Sequence, residues 1–273
     1  MNKVLFIFGT RPEAIKMAPV VNAFKGDELN FEIVVAVTAQ HREMLDQVLT
    51  LFEIVPDYDL DLMAPNQTLE SLTSKVLIGI SDLLVEIKPD VVFVQGDTTT
   101  TYASALAAFY KMIPVAHIEA GLRSFNKKMP EEINRMVTDT LSDFLFVSEE
   151  SGLENLKKEG IADSKVFFTG NIMIDSLVYY LDRIDQLNKQ NYILATFHRP
   201  SNVDTGSNIQ SLGNLLNSLA EKRKIIFPTH PRTLYNIKKH DIWNKMHSNI
   251  ILTDPLGYFD FLALMKNAEL IIT

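Results

Sequence analysis

Short apolar runs rich in β-branched and aromatic residues alternate along the chain with longer segments whose apolar residues recur every three or four positions. The first pattern is typical of buried strands and the second of amphipathic helices, as in Leu69–Ile87 and Ile209–Leu219. The predicted strands are Val4–Phe8, Phe31–Val37, Val91–Gln95, Val115–Ile118, Phe144–Val147, Val166–Thr169, Tyr192–Thr196, Lys224–Phe227, Ile250–Leu252 and Leu270–Thr273.

This order of elements predicts an α/β fold with parallel, doubly wound sheets. Parallel strands are covered on both faces, which explains why Val91–Val94 is apolar at every position. The most polar interval, Leu181–Asn191, precedes a fresh strand. We place a domain boundary there and predict domains at 1–185 and 186–273.

Composition narrows the classes of function. The chain has 273 residues, of which 47% are hydrophobic, enough for real cores. A net charge of −8 argues against a nucleic-acid binder or a protein that binds anionic membranes. No apolar run is long enough to span a bilayer, and no signal-peptide pattern opens the chain, so a cytoplasmic location is expected.

The chain contains no cysteine, which excludes disulfides, thiolate metal sites and cysteine nucleophiles. No tight spacing of histidines and carboxylates suggests a metal site. Glycine-rich dinucleotide and P-loop fingerprints, and the serine-hydrolase elbow, are also missing from the sequence. We therefore predict neither a metal nor a redox cofactor.

The first strand is followed by Gly9–Lys16, which places Arg11 and Lys16 at a strand-to-helix corner. Ligands of open α/β sheets bind at such corners, and free amides at a helix start attract anions. Arg11 could instead be a solvated turn residue, but Lys16 has largely apolar neighbours and needs a snorkelling path or a partner.

Two carboxylates follow successive predicted strands. Asp97 comes after Val91–Gln95, and Glu119 comes after Val115–Ile118. Asp97 could simply cap a helix. If the strands are neighbours, however, both carboxylates would share one cleft, where repulsion and burial suit acid–base chemistry.

A third cluster, Pro130–Arg135, has the pattern of a helix start, with proline and acids in its first turn. Glu131 and Arg135 are four residues apart and would share a face. An ordinary surface ion pair explains this spacing fully, without a catalytic role.

Basic residues follow two strands of the second half. His198 and Arg199 come after Tyr192–Thr196, and His230 comes after Lys224–Phe227. Both side-chain types donate hydrogen bonds to phosphate oxygens, so an anionic ligand is expected, although either histidine could be structural.

Taken together and in order, these motifs resemble the non-hydrolysing UDP-N-acetylglucosamine (UDP-GlcNAc) 2-epimerases. The matching stretches are residues 8–19, 37–42, 96–101, 117–123, 130–135, 169–171 and 198–199. Each motif alone is weak, but their combination is highly specific.

The resemblance implies two Rossmann-like domains of the GT-B type, with the active site in the cleft between them. It implies interconversion of UDP-GlcNAc and UDP-ManNAc for surface polysaccharide, by anti elimination of UDP to 2-acetamidoglucal and re-addition. Carried over by residue, Asp97, Glu119, Glu131 and His198 would be catalytic. Arg11, Lys16, Arg135, Arg199 and His230 would contact the substrate or support the site, and a homodimer is expected.

Three departures from the family pattern qualify these expectations. A diphosphate-binding motif is expected after Thr273, so the second domain is expected to be incomplete and the 273-residue form to bind UDP poorly. The motif at His198 has Pro200 and Ser201 in place of a cation and an acid. In the candidate effector site, Gln40 is kept, but Glu43 and Asn66 replace the usual residues, which argues against allosteric activation.

Three alternatives stay open on these grounds. The chain could be a non-catalytic fragment that only dimerises, an epimerase of a diacetamido uronic acid nucleotide, or a glycosyltransferase of the same fold. Thr10 and Glu13 fit the UDP-GlcNAc type of motif, and clustered carboxylates suit proton abstraction better than glycosyl transfer.

Overall fold

The structure is a computed structural model that describes residues 1–27, 29–38, 42–62, 64, 67–181, 191–197 and 203–273. The chain divides into two compact units, Met1–Tyr179 and Tyr180–Thr273. The predicted boundary at residue 185 lies outside the described residues. The assignment of catalytic carboxylates to the first domain and nucleotide binding to the second stays a prediction.

Unit 1 is built on one parallel sheet with the strand order β3-β2-β1-β4-β5-β6-β7. Its strands are β1 Asn2–Phe8, β2 Phe31–Val37, β3 Tyr58–Asp59, β4 Val91–Gln95, β5 Val115–Ala120, β6 Phe144–Val147 and β7 Val166–Phe168. The helices are α1 Arg11–Lys25, α2 Arg42–Leu51, α3 Leu69–Ile87, α4 Thr99–Tyr110, α5 Pro130–Leu141, α6 Glu150–Lys158 and α7 Ile172–Leu181, which runs past the end of the unit.

Unit 2 is also built on a parallel sheet, which has four strands in the order β10-β9-β8-β11. Its strands are β8 Tyr192–Ala195, β9 Lys224–Pro228, β10 Ile250–Thr253 and β11 Leu270–Ile272. Its helices are α8 Gly206–Ala220, α9 Pro231–Lys239 and α10 Tyr258–Asn267.

The strands predicted from hydrophobic runs are all present, with ends that differ by no more than two residues. The edge strand β3 was not predicted because its two residues, Tyr58 and Asp59, are too few to make a pattern. Leu69–Ile87 has the predicted bounds, and the helix predicted at Ile209–Leu219 is slightly longer.

Both faces of the large sheet are buried at its central strands β1 and β4, as expected for parallel strands. On one face, Leu5 and Val92 belong to a core that also takes in α3 and α4. On the other face, Phe6 lies beside Phe93 and against Phe24 of α1, with ring centroids 5.0 and 5.5 Å apart. Consecutive residues of one strand thus serve opposite cores.

Helix α1 contains an internal proline that the fold accommodates. Pro19 has no N–H to donate to the carbonyl of Ile15, four residues earlier. The buried hydroxyl of Ser176 on α7 donates to that carbonyl instead, at 2.8 Å. This hydrogen bond from Ser176 links α7 to α1.

The end of β1 approaches two neighbouring segments so closely that residue 9 must be glycine. A Cβ at Gly9 would lie 2.0 Å from Thr38 Oγ1 and 2.7 Å from Thr100 Oγ1. These two hydroxyls are hydrogen-bonded to each other at 2.9 Å. The close approach brings the ends of β1, β2 and β4 together.

A buried carboxylate holds the same corner. Glu13 accepts backbone N–H bonds from Gly9 and Thr10 at 3.1 and 2.7 Å, and hydroxyl bonds from Thr98 and Thr101 at 2.7 and 3.1 Å. The first two donors precede α1 and the others lie at the start of α4. Glu13 therefore fixes the β1–α1 turn against the β4–α4 turn.

Replacing Glu13 by alanine should lower the free energy of unfolding by about 2–4 kcal/mol, because the N–H groups of Gly9 and Thr10 and the hydroxyl of Thr98 lose this acceptor. Glu13→Gln should cost less, since its amide oxygen can accept from the two N–H groups and its NH2 can donate to the threonine hydroxyls. Urea unfolding followed by circular dichroism measures both changes. Equal stability of Glu13→Ala and the parent would contradict this role.

Candidate active site

The two predicted strand-end carboxylates do come from neighbouring strands. β4 pairs with β5 in parallel, with Gln95 opposite Ile118. Asp97 and Glu119 therefore lie at the same edge of the sheet, the one formed by the carboxyl ends of the strands. A Cβ built on Gly96 would lie 3.9 Å from Glu119 Oε2. The carboxylate of Glu119 thus approaches the residue that precedes Asp97.

The backbone at this edge is unusual. Gly96 and Gly121 have φ values of +78° and +80°, and Glu119 itself has φ +69°. The pairing of β5 with β6 is also irregular between Ile118 and Ala120. A glutamate held in this left-handed region is costly and is characteristic of functional sites.

Lys16 has the partner that its apolar surroundings require. Its Nζ lies 2.5 Å from Glu119 Oε2, and the two side chains are 19% and 16% exposed. Gln95 Nε2 also donates to the same oxygen. The predicted cation of the β1–α1 corner is therefore joined directly to one of the candidate catalytic carboxylates.

Asp97 is held from α5 by two contacts. Asn134 Nδ2 donates to its backbone carbonyl at 3.0 Å, and the Arg135 guanidinium forms an ion pair with its carboxylate. Arg135 also pairs with Glu132 at 2.9 Å, three residues earlier on the helix. The predicted pairing of Arg135 with Glu131 was wrong, because the guanidinium turns toward buried Glu132 and Asp97.

Glu131 remains exposed and lines a cavity of about 490 Å³ in unit 1. Arg11, Asp97 and Asn134 line the same cavity. The structure thus brings together residues from three of the predicted motifs, the β1–α1 corner, the β4–α4 turn and the start of α5.

Glu132 was missed by the sequence reasoning, although it lies beside Glu131. It is 2% exposed, and it accepts N–H bonds from Ser124 and Phe125 and a bond from the Ser124 hydroxyl, all within 3.0 Å. Burial alone would raise its pKa, but these hydrogen bonds and the charge of Arg135 hold that pKa below its ordinary value. Glu132 fixes the loop that follows β5.

A second unpredicted group lies entirely inside unit 1. His117 and Asp139 are both 0% exposed, and His117 Nδ1 lies 2.7 Å from Asp139 Oδ1. The other ring nitrogen lies 2.7 Å from the carbonyl oxygen of Gly96. Asp139 Oδ2 accepts from Gly121 N at 3.1 Å and from Arg123 at 2.7 Å.

The pKa of Asp139 reflects this environment. Burial acts to raise its pKa, but the hydrogen bonds and charges of His117 and Arg123 outweigh burial and hold it below the usual value. Its carboxylate therefore stays ionised in the interior. Arg123 is shared with Glu159 at 2.6 Å, and these partners raise the pKa of Arg123 against the opposing effect of burial.

In unit 2, His230 stands at the N-cap of α9, where its Nδ1 accepts the backbone N–H of Arg232 at 3.2 Å. Its Nε2 must then carry the ring hydrogen in the neutral form. Arg232 forms an ion pair with Asp204. The capping contact accounts for His230 structurally, and its role in substrate binding remains a prediction.

Other predicted residues cannot be placed. His198, Arg199 and Gln40 lie outside the described residues, and so does Asn66. Glu43 lies in α2, but its side chain is not described. Their roles stay as the family resemblance implies them.

Among the described residues, no group of three or more histidines and carboxylates could hold a metal ion. No described helix is both long and apolar enough to cross a membrane.

Chemically, this edge of unit 1 offers carboxylates for proton transfer, with cations beside two of them. Asp97 is paired with Arg135 and Glu119 with Lys16, while Glu131 is exposed to the cavity. Such groups can take a proton from a substrate and return one. Cavity-lining Arg11 can bind an anionic portion of a ligand.

Comparisons with known proteins agree with this chemistry. A family model described as UDP-N-acetylglucosamine 2-epimerase matches residues 22–273. The UDP-N-acetylglucosamine 2-epimerase of Escherichia coli K12 is 45% identical over 291 aligned positions, covering 99% of this chain and 76% of the relative.

Solved structures of such enzymes have the same fold. The Neisseria meningitidis UDP-GlcNAc 2-epimerase bound to UDP-GlcNAc is 42% identical, with a TM-score of 0.85 over 98% of this chain and 76% of its own. The Methanocaldococcus jannaschii enzyme in complex with UDP-GlcNAc and UDP is 37% identical, with a TM-score of 0.81 over 98% and 78%.

These likenesses confirm the predicted fold class of two Rossmann-like α/β domains of the GT-B kind. The chain spans about three quarters of the length of the relatives it matches. The motifs predicted from the sequence lie in the aligned region, and the carboxylates of unit 1 surround one edge of its sheet. The chain belongs to the UDP-N-acetylglucosamine 2-epimerase family.

Proposed function

We propose that the protein interconverts UDP-GlcNAc and UDP-ManNAc. In the forward direction the C2–H bond breaks and its proton passes to a carboxylate. The electron pair forms the C1=C2 bond of 2-acetamidoglucal, and the C1–O bond breaks with its pair leaving on UDP. Return of a proton to the opposite face of C2, with re-formation of the C1–O bond, gives the epimer.

The carboxylates of unit 1 are the observation that carries this proposal. Inversion at C2 needs one group that removes a proton from one face of the sugar and another that supplies a proton to the opposite face. Asp97 lies in the turn after β4, Glu119 in β5 and Glu131 in α5, so the carboxylates come from three different segments. No electrons are gained or lost overall, so the reaction needs no redox cofactor.

Departure of UDP requires groups that stabilise negative charge. Arg11 lines the same cavity as Asp97, and Lys16 lies beside Glu119. We assign Arg11 to the anionic part of the substrate and Lys16 to the reacting region. The family resemblance gives His198 the role of stabilising the departing diphosphate and gives Arg199 a part in nucleotide or effector contacts, with His230 among the substrate contacts.

We further propose that the protein forms a homodimer in the cytoplasm. Packed helices α3 and α4 carry apolar side chains that are unusually exposed, among them Ile78 at 61%, Val85 at 56% and Tyr110 at 63%. Ile78 and Val85 are seven residues apart, two turns along the same face of α3. Exposed apolar patches of this kind mark protein–protein interfaces.

Incubation of the full-length protein with UDP-GlcNAc in deuterated water should place deuterium at C2 of both nucleotide sugars, detected by NMR and by a mass increase of about one unit per molecule. Asp97→Asn should slow turnover by at least about 100-fold, because proton transfer by a positioned group contributes that much. Asp90→Asn, at the opposite end of β4, is the matched control. Release of UDP from the parent without C2 exchange would indicate a transferase or hydrolase and contradict the proposal.

Lys16→Met should lower kcat/KM by roughly 10- to 100-fold, the loss expected when a reacting group shifts by about 1 Å. The reason is that Glu119 loses the ammonium 2.5 Å from its carboxylate. Lys25→Met, in the last turn of the same helix, is the control and should leave kcat/KM unchanged. Equal effects of the two substitutions would argue against the assigned role of Lys16.

Sedimentation velocity should show a dimer of the parent chain. The double variant Ile78→Asp/Val85→Asp should sediment as a monomer, because charges would be buried in the interface. Leu215→Asp, an exposed apolar position of α8, should remain dimeric. A monomeric parent, or a dimeric double variant, would refute this interface.

A further inference from the structure

His117 and Asp139 are buried, ionisable and outside the cavity that Asp97 and Glu131 line. Both residues are 0% exposed, and neither lines that cavity. Burying polar groups is costly unless every one of them is hydrogen-bonded. The proton transfers assigned to Asp97, Glu119 and Glu131 do not explain why these two ionisable residues are buried together.

The contacts lead to both strand ends that carry catalytic carboxylates. One nitrogen of the His117 ring faces the carbonyl of Gly96, the residue immediately before Asp97, at 2.7 Å. Asp139, bonded to the other nitrogen, accepts the N–H of Gly121, two residues after Glu119, at 3.1 Å. A single buried pair thus bridges the β4–α4 turn, the end of β5 and helix α5.

The backbone at these positions cannot rely on regular strand pairing. Gly96, Glu119 and Gly121 all have positive φ values, between +69° and +80°. The irregular step between Ile118 and Ala120 also interrupts the pairing of β5 with β6. Backbone groups that make no hydrogen bond within the sheet therefore need side-chain partners. His117 provides one for the carbonyl of Gly96, and Asp139 provides one for the N–H of Gly121.

Both ring nitrogens of His117 face oxygen acceptors. A carbonyl oxygen can only accept, so the nitrogen facing Gly96 must carry a hydrogen. The other nitrogen faces the carboxylate of Asp139, so the ring lies between two acceptors.

We propose that His117 and Asp139 are positioning residues that set the placement of Asp97 and Glu119 relative to each other. This inference rests on the proposed epimerase function and assigns the pair no contact with the substrate. Arg123 completes the group by holding the second oxygen of Asp139 at 2.7 Å. Loss of the pair should misplace the carboxylates, which lowers turnover more than it weakens substrate binding.

The test compares kcat and KM for epimerisation, and C2 deuterium exchange, across three variants of the full chain. His117→Phe fills the space of the ring but removes both ring nitrogens, and it should lower kcat by roughly 10- to 100-fold while KM changes less than about threefold. Asp139→Asn should retain kcat within about fivefold. Its amide NH2 can donate to a neutral His117, and its oxygen can still accept from Gly121 and Arg123.

Ile80→Ala is the control for lost stability alone. Ile80 lies in the α3 core, 0% exposed, and touches none of the groups in the proposal. Its truncation should lower the melting temperature while kcat per folded molecule stays unchanged. Backbone amide NMR signals of Asp97 and Gly121 should shift in His117→Phe, which reports on placement without substrate.

The outcomes distinguish a failure of the positioning role from a failure of the proposed epimerase function. If the parent exchanges the C2 proton but folded His117→Phe keeps its full kcat, the positioning role is wrong. A loss of activity that only tracks the folded fraction, as in Ile80→Ala, also contradicts it. A well-folded parent that shows no C2 exchange overturns the proposed function itself, and the positioning role in catalysis with it.

Discussion

A carboxylate removed from water requires hydrogen-bond donors on every side, and unit 1 uses this requirement to shape its functional edge. Glu13, Glu132 and Asp139 are each no more than 2% exposed. Among their donors are Thr10 in the turn after β1, and Gly121 and Ser124 in the loop after β5. The irregular segments that carry the site are held by these three side chains.

Buried and exposed carboxylates thus have separate tasks. The buried ones are saturated by amides, hydroxyls and guanidinium groups, which keep the pKa values of Glu132 and Asp139 low and leave those groups unsuited to collecting protons near neutrality. Asp97 and Glu131 instead line a cavity of about 490 Å³. The rigid frame keeps the reacting groups in place so that substrate binding does not have to order them.

The strands, the helices and the relative positions of the strand-end carboxylates could be predicted from the sequence, because they depend on hydrophobic periodicity and on the order of strands and helices. The neighbouring positions of Asp97 and Glu119 follow from strands that alternate with helices in a parallel sheet. The requirement of Lys16 for a partner was also apparent, although its identity, Glu119, is 103 residues away. The buried framework could not be predicted, because its donors are mostly backbone groups that converge only after folding.

Glu131 and Glu132 illustrate the limit most clearly. Adjacent acids at a helix start look equivalent in the sequence, yet one is exposed to the cavity and the other is buried against Ser124 and Arg135. Helical spacing allowed Arg135 to pair with either of them. Only the position of the loop after β5 decides between them, and no local pattern contains that information. Glu13 did carry a local signal, since an acid three residues after Thr10 fits a capping box.

Native-state amide hydrogen exchange, followed residue by residue by NMR, tests the buried-carboxylate framework most directly. Thr10, Gly121, Ser124 and Phe125 all donate backbone N–H bonds to the buried carboxylates although they lie outside the helices and strands. The account predicts that these amides are protected nearly as well as those of β4 and β5. Exchange at the rate of an unstructured peptide would contradict it.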